Sequence, residues 1–177
     1  MDVKDIDEEL KEMYEEDSGA PKVLNSDTLK APIKSMQLPA PVAVERGATV
    51  QDAARLMQER HIGCVLIVQN GVLDGILTER DLLMKIVGTG RDISKVKVEE
   101  VMTPNPAALQ PDYMIAYALN YMDVGGYRHV PIVDEKERPL GVLSVKNIVE
   151  YLTDYFPQEV LTLPPRPMRT TKTREGA

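Results

Sequence analysis

Thr78-Glu79-Arg80-Asp81 follows the apolar run Gly75-Ile76-Leu77, and Ser144-Val145-Lys146-Asn147 follows Gly141-Val142-Leu143. A hydroxyl three residues before a carboxylate or amide, where a strand passes into a helix, has two chemical readings. In one it is a helix capping box, with each side chain satisfying the other residue's backbone N–H. In the other it is a ligand cradle, because unpaired N–H groups and the positive end of a helix face outward there. A carboxylate at Asp81 can accept from both hydroxyls of a ribose, and Arg80 can neutralise a phosphate. Both readings stand for Thr78 and Asp81. In the second copy Ser144 keeps the hydroxyl, Lys146 stands for Arg80, and Asn147 offers a sugar hydrogen bonds without charge. A second pocket built on it is weaker, differently occupied or empty.

Arg128 and His129 open the second strand of the later copy, where the earlier one has Gly63 and Cys64. A cationic pair at a strand end suits phosphate; the plainer alternative is a solvated Arg128 and a buried, satisfied His129. Cys64 lies in an apolar strand with no recognisable base placed to activate it, so it reads as a small core residue and not a nucleophile. Tyr113, Tyr117 and Tyr121 recur every four residues on one helix face and read as a subunit interface. Met57, Met84, Met114 and Met122 read as core or dimer packing. Gly88-Thr89-Gly90 lacks the preceding strand and third glycine of a dinucleotide fingerprint.

Composition removes whole classes of function. The 177 residues carry 21 bases against 28 acids, one cysteine and two histidines. That excludes a disulfide framework and a Cys-rich zinc site. Residues 1–30 hold ten acids and four bases, and residues 157–177 hold four bases and two acids. No basic stripe interleaved with aromatics exists, so nucleic acid is not an expected partner. The acidic start is the reverse of a signal peptide, and the run 64–68 is a strand's length, so no membrane is expected and the cytoplasm is the expected location.

The elements that must position these residues come from an internal repeat. Shifted by 65 residues, Pro39 meets Pro104, Pro41 meets Pro106, Met57 meets Met122, and Val65, Ile67 and Val68 meet Val130, Ile132 and Val133. After one inserted residue, Gly75 meets Gly141, Thr78 meets Ser144 and Asp81 meets Asn147. Each copy reads β-α-β-β-α. In the first, a strand over 42–44 precedes a helix capped by Thr49 and Asp52. A strand over 64–68, an Asn70-Gly71 hairpin and a strand over 73–77 follow, then a helix over 79–87. The second has a strand over 107–109, a helix over 113–124 stopped by Gly125-Gly126, strands over 129–133 and 140–143, and a helix to 155. Pro131 cannot donate to a ladder, so its position should be an edge or an irregular spot. One unit has too little core to stand alone, so the two should pack face to face with approximate two-fold symmetry. The expected boundaries are 1–34 for an acidic extension, 35–95 and 96–156 for the repeats, and 157–177 for a proline-rich, mobile tail. In the extension Val3, Ile6, Leu10 and Met13 form a narrow apolar stripe.

The stretches Met102-Thr103-Pro104, Arg128-His129-Val130-Pro131-Ile132-Val133-Asp134 and Gly75-Ile76-Leu77-Thr78-Glu79-Arg80-Asp81, repeated in order across 35–156, closely resemble a tandem cystathionine β-synthase (CBS) domain protein, or Bateman module. The resemblance implies an α/β (α+β) fold of two pseudo-symmetric β-α-β-β-α repeats. It also implies a regulatory protein, not an enzyme, that binds AMP, ADP, ATP or S-adenosylmethionine between the repeats, assembles as a homodimer and signals to a separate, unknown protein target. Carried onto this chain, it places ribose at Asp81 and Asn147, sugar or phosphate contacts at Thr78 and Ser144, and adenine against Val42, Cys64 and Ala107 at the strand starts. Phosphates fall to Arg80, Arg128, His129 and Lys146. No catalytic or metal-ligating residue is implied. The competing expectation is a scaffold dimer of the same fold whose pockets have decayed.

Overall fold

The computed structural model describes residues 25–156, of which 25–149 form one compact unit and 150–156 belong to a second. The apolar stripe of the acidic extension and the tail 157–177 lie outside the described residues. In chain order the elements are α1 (Ser26–Lys30), β1 (Ala43–Glu45), α2 (Val50–Arg60), β2 (Cys64–Gln69), β3 (Val72–Thr78) and α3 (Glu79–Lys85). They continue with β4 (Thr103–Pro104), α4 (Ile115–Gly125), β5 (His129–Val133), β6 (Pro139–Ser144) and α5 (Val145–Thr153).

β2 is apolar at every position from Cys64 to Val68 because both of its faces are covered. Val65 and Ile67 turn to one side and pack with Val50, Ala53 and Met57 of α2. Cys64 and Leu66 turn to the other, where with Ile76 they meet Val142 of the second repeat. The two repeats therefore join sheet to sheet, as the duplication required. Truncating fully buried Leu66 to Ala should cost about 2–5 kcal/mol.

Register shows the duplication in detail. β1 runs parallel to β2, and β3 runs antiparallel to it, with Ile67 opposite Gly75. In the second repeat Ile132 stands opposite Gly141, and the register shifts at the equivalent step in both: between Ile67 and Val68, and between Ile132 and Val133. The inserted residue falls in the hairpin. Asn70 and Gly71 make the first turn with φ of 55° and 78°, the left-handed pair a two-residue hairpin needs. Its counterpart closes over Asp134, whose carboxylate accepts from the backbone N–H groups of Lys136 and Arg138. Lead-in segments cross between repeats: β4 pairs with β3 at Gly75 and Ile76, while Leu38 and Pro39 lie against Gly141.

α1 and β4 were not expected from the sequence, and two expected elements are altered. The strand expected over 107–109 shrinks to a single bridge, Leu109 beside Ile132. The cause is Pro131. In the first repeat Leu66 N–H donates to the Val42 carbonyl at 3.0 Å; the equivalent residue is Pro131, which has no N–H, so Ala107 receives no such bond. Pro131 thus occupies a strand interior with its nitrogen on the side where the ladder is broken. The helix expected from 113 begins at Ile115, because Tyr113 and Met114 are drawn into extended pairing with residues 32 and 33. Ile33 N–H donates to the Tyr113 carbonyl at 2.8 Å, and Pro32 bridges Met114. The smaller shifts, such as α3 ending at Lys85 and α5 at Thr153, are changes of a residue or two at helix ends.

Candidate functional site

β3 ends at Thr78, whose extended backbone (φ −116°, ψ 163°) caps α3, and in the first turn of that helix Glu79 N–H donates to the Gly63 carbonyl at 3.1 Å. Asp81 Oδ2 accepts from Thr78 N–H at 3.0 Å and from its hydroxyl at 2.7 Å, and Asp81 N–H donates back to Thr78 Oγ1 at 3.2 Å. The capping box is therefore formed. Ser144 and Asn147 repeat it at 3.0, 2.6 and 3.2 Å, and Thr49 with Asp52 makes a third. Cap and cradle are not exclusive, since capping uses only one carboxylate oxygen of Asp81. Its other oxygen, Oδ1, takes the Lys85 ammonium at 2.7 Å.

A cavity of about 230 Å³ opens beside this cap. The first repeat contributes Gly63, Ile76, Thr78, Glu79, Arg80 and Asp81 to its wall. Thr103, Pro106 and Ala107 come from the segment leading into the second repeat, and Gly125 through His129 from the end of α4 and the start of β5. Of the residues singled out from sequence, Thr78, Arg80, Asp81, Ala107, Arg128 and His129 meet here. Val42, Cys64, Ser144, Lys146 and Asn147 do not line this cavity; under the repeat they are the counterparts of Ala107, His129, Thr78, Arg80 and Asp81. The structure thus brings six of the eleven residues together and leaves their five sequence counterparts outside this cavity.

Charge in the cavity is mixed. Arg80 Nη1 donates to the Gly126 carbonyl at 2.9 Å, spanning the repeats. Burial opposes ionisation of Asp81, yet the Lys85 ammonium and the Thr78 hydroxyl and N–H outweigh it and hold its pKa below the ordinary value. His129 is driven the other way, towards neutrality, by burial and by Arg128, against a smaller pull from Glu79. Glu79 approaches His129 across the Gly63 backbone: a side chain at position 63 would lie 3.3 Å from Glu79 Oε2 and 3.4 Å from the His129 ring. Burial, with Glu79, pushes the Cys64 thiol up to about 12, which leaves it protonated and unreactive at neutral pH.

Tyr127 and Lys85 were not picked out from sequence. The Tyr127 ring packs so closely on Gly125 that a Cβ there would lie 1.9 Å from its Cε1. Gly126 has the left-handed φ of 64° that closes α4. The glycine pair therefore has two duties, of which only the helix stop was legible; an aromatic two residues beyond a glycine was the available sign of the other. Among the described residues, no group of three or more His, Cys, Asp or Glu could hold a metal ion, and no helix is long and apolar enough to cross a membrane.

The family model described as "CBS domain" matches residues 33–88 and 98–154. Among curated relatives, the CBS domain-containing protein CBSCBSPB3 of Arabidopsis thaliana is 31% identical over 123 residues, 69% of this chain and 21% of its own length. The CBS domain-containing protein YhcV of Bacillus subtilis is 32% identical over 105 residues, 59% of this chain and 74% of that one. The chain thus spans about a fifth of CBSCBSPB3. Among solved structures, a putative signal-transduction protein with CBS domains from Burkholderia ambifaria is 29% identical with a TM-score of 0.60, over 72% of this chain and 91% of that one. The CBS domain pair of protein MJ0100, solved with 5-methylthioadenosine and S-adenosyl-L-methionine, is 23% identical with a TM-score of 0.62, over 69% of this chain and 95% of its own. At that identity MJ0100 shows a shared fold.

Proposed function

The chain belongs to the CBS-domain family, and from that premise we propose that it is a regulatory module that binds an adenosine-containing ligand between its repeats and signals to a separate protein target. AMP, ADP, ATP and S-adenosylmethionine are the candidate ligands. The observation that carries this reading is the meeting, in one cavity, of the Thr78–Asp81 pair from the first repeat with Arg128 and His129 from the second. Asp81 supplies an anionic acceptor for ribose hydroxyls, Arg80 and Arg128 supply cationic donors for phosphate, and the His129 ring supplies an N–H donor beside them. The cavity is just under the roughly 300–1,000 Å³ of drug-sized sites, a size that suits a nucleoside, with phosphates extending to the exposed arginines. The base would lie against Ala107 and the start of β5. In this reading the ligand is sensed and not transformed, and the cytoplasm is its place of action.

Self-association fits the surface. Leu83 and Met84 of α3 and Val87 in the turn just beyond it are exposed, Met84 to 73%, as are Tyr117, Tyr121 and Val124 of α4. The Arg80–Gly126 bond brings these helices together at one end. Met84 is thus not a core residue; it supports the packing alternative, a homodimer through α3 and α4, with Met57 and Met122 in the core. Charge at Met84 and Val124 should yield monomers in sedimentation velocity.

The test is thermal melting of nucleotide-stripped protein against AMP, ADP, ATP, S-adenosylmethionine and NAD, with Asp81→Ala beside the parent. A ligand at about 100 times its Kd adds roughly 2.7 kcal/mol, a rise on the order of 5–10 °C. A selective rise that Asp81→Ala abolishes is the expected result. Flat curves at millimolar ligand leave the second reading, a scaffold dimer. One observation favours that reading: the described groups of Asp81 and Arg80 already have protein partners.

A further inference from the structure

We propose that Lys85 is the positioning residue of the cleft: it fixes the orientation of the Asp81 carboxylate and fastens it to the chain segment that joins the two repeats. The proposal rests on the adenosine reading and adds to it a residue that touches no ligand.

The geometry is that of a hub. Lys85 Nζ lies 2.7 Å from Asp81 Oδ1, 2.6 Å from the Val101 carbonyl oxygen and 3.4 Å from that of Met102. An ammonium has three protons, and three acceptors surround this one. Asp81 is held from both sides, Oδ2 by Thr78 and Oδ1 by Lys85, so its carboxylate plane is set before any ligand arrives. Its side chain is only 12% exposed against 40% for Lys85, which shelters the pair from the screening that weakens surface ion pairs.

Two internal comparisons separate this arrangement from ordinary capping. Asp52 of α2 makes the same cap with Thr49, yet its ion-pair partner Arg55 lies on an exposed helix surface three residues on. A cap therefore needs no lysine tied to a second segment. In the second repeat the amide Asn147 replaces Asp81, and the residue matching Lys85 is Tyr151. Acid and base have been exchanged together, as expected if the lysine serves the carboxylate. The carbonyls that Lys85 holds lead directly into β4, and Thr103 and Ala107 beyond them line the cavity. Ribose bound at Asp81 would thus be felt, through Lys85, in the connection between repeats.

The experiment is calorimetric titration of the full chain with AMP and with S-adenosylmethionine, for the parent, Lys85→Met, Lys85→Arg, Asp81→Asn and the Asp81→Asn/Lys85→Met pair. Lys85→Met should weaken binding by about tenfold, the scale of a lost charged hydrogen bond, and Lys85→Arg should recover most of it. In the Asp81→Asn background Lys85→Met should change affinity by less than about twofold, because the lysine acts through the acid. Unchanged affinity in Lys85→Met, or the same loss in both backgrounds, overturns the proposal. A second measurement needs no ligand: carboxyl-carbon NMR should show the Asp81 titration midpoint rising in Lys85→Met. Glu79, Arg80, Arg128 and His129 are unchanged in that comparison, so a midpoint that stays put also overturns it. If the parent binds neither ligand, nor ADP or ATP in the same titration, the adenosine reading falls, and the NMR titration still decides the role of Lys85.

Discussion

Arg80 Nη1 donates to the carbonyl oxygen of Gly126 at 2.9 Å, joining the first turn of α3 in one repeat to the residue that closes α4 in the other. The C-terminal carbonyls of a helix attract a cation, so without ligand the guanidinium has a definite seat. A phosphate in the cavity competes for it. Arg80→Met should weaken AMP binding about tenfold, the scale of a lost charge-assisted hydrogen bond, and leave adenosine binding within about twofold. Calorimetry with the two ligands decides it. An equal loss for both would mean that Arg80 works only by holding the repeats together.

The missing bond at Pro131 gives a second prediction. Pro131→Leu restores the N–H that Leu66 directs at Val42 in the first repeat. The new amide at position 131 should pair with the Ala107 carbonyl and be protected from hydrogen exchange. If that carbonyl serves the ligand's base, affinity should fall roughly three- to tenfold, the range of one net hydrogen bond. A protected amide with unchanged affinity would place the base elsewhere in the cavity.

What could be read beforehand was what repeats. The hairpins, the Thr-x-x-Asp and Ser-x-x-Asn starts and the apolar run of β2 are local patterns, and duplication supplied a second sample of each. What could not be read depends on residues far apart in sequence. Lys85 looks like any helix-surface lysine until the carbonyls of Val101 and Met102, sixteen and seventeen positions away, fold over it. The strand over 107–109 was expected because the repeat lays it on 42–44, and its own residues show no defect; the defect sits in Pro131, its partner. Residues 25–36 carry no repeat signal, yet Ile33 is fully buried and pairs with Tyr113. Thr78, Arg80, Asp81, Ala107, Arg128 and His129, singled out from the same repeat and resemblance, line the described cavity. Cys64 and Val42 were grouped with them because the resemblance covers both pockets, whereas the described cavity belongs to one.

Gly125 and Tyr127 make a third prediction, one of sign. Alanine is intrinsically favoured over glycine in a helix by up to about 1 kcal/mol, but its Cβ at position 125 would fall 1.9 Å from Tyr127 Cε1. Gly125→Ala should therefore destabilise the protein, by about 1–3 kcal/mol if the ring stays and is strained. In a Tyr127→Ala background the same change should be neutral or stabilising. Denaturant melts of the four proteins test this, and destabilisation of equal size in both backgrounds would show that the ring is not the cause.

The last prediction concerns pH and His129, which faces Arg128 beside it, Glu79 of α3 and the rest of the cavity wall. Burial and Arg128 lower its pKa from 6.5, with Glu79 opposing. Unfolding returns the imidazole to its ordinary value, so below about 6.5 the unfolded chain takes up a proton that the folded one resists. The stabilisation from a neutral His129 is present above that pH and is lost as the pH falls towards the depressed folded value. Melting temperature should decline on acidification from pH 7 to pH 5, and His129→Gln should flatten the decline. Asp81 titrates below 3.8 in the folded protein and stays outside this window. A bound phosphate reverses the preference, because it favours the imidazolium. AMP should therefore bind more tightly at pH 6 than at pH 7.5, to a degree that His129→Gln reduces; a parent and variant with parallel profiles would remove His129 from the phosphate site.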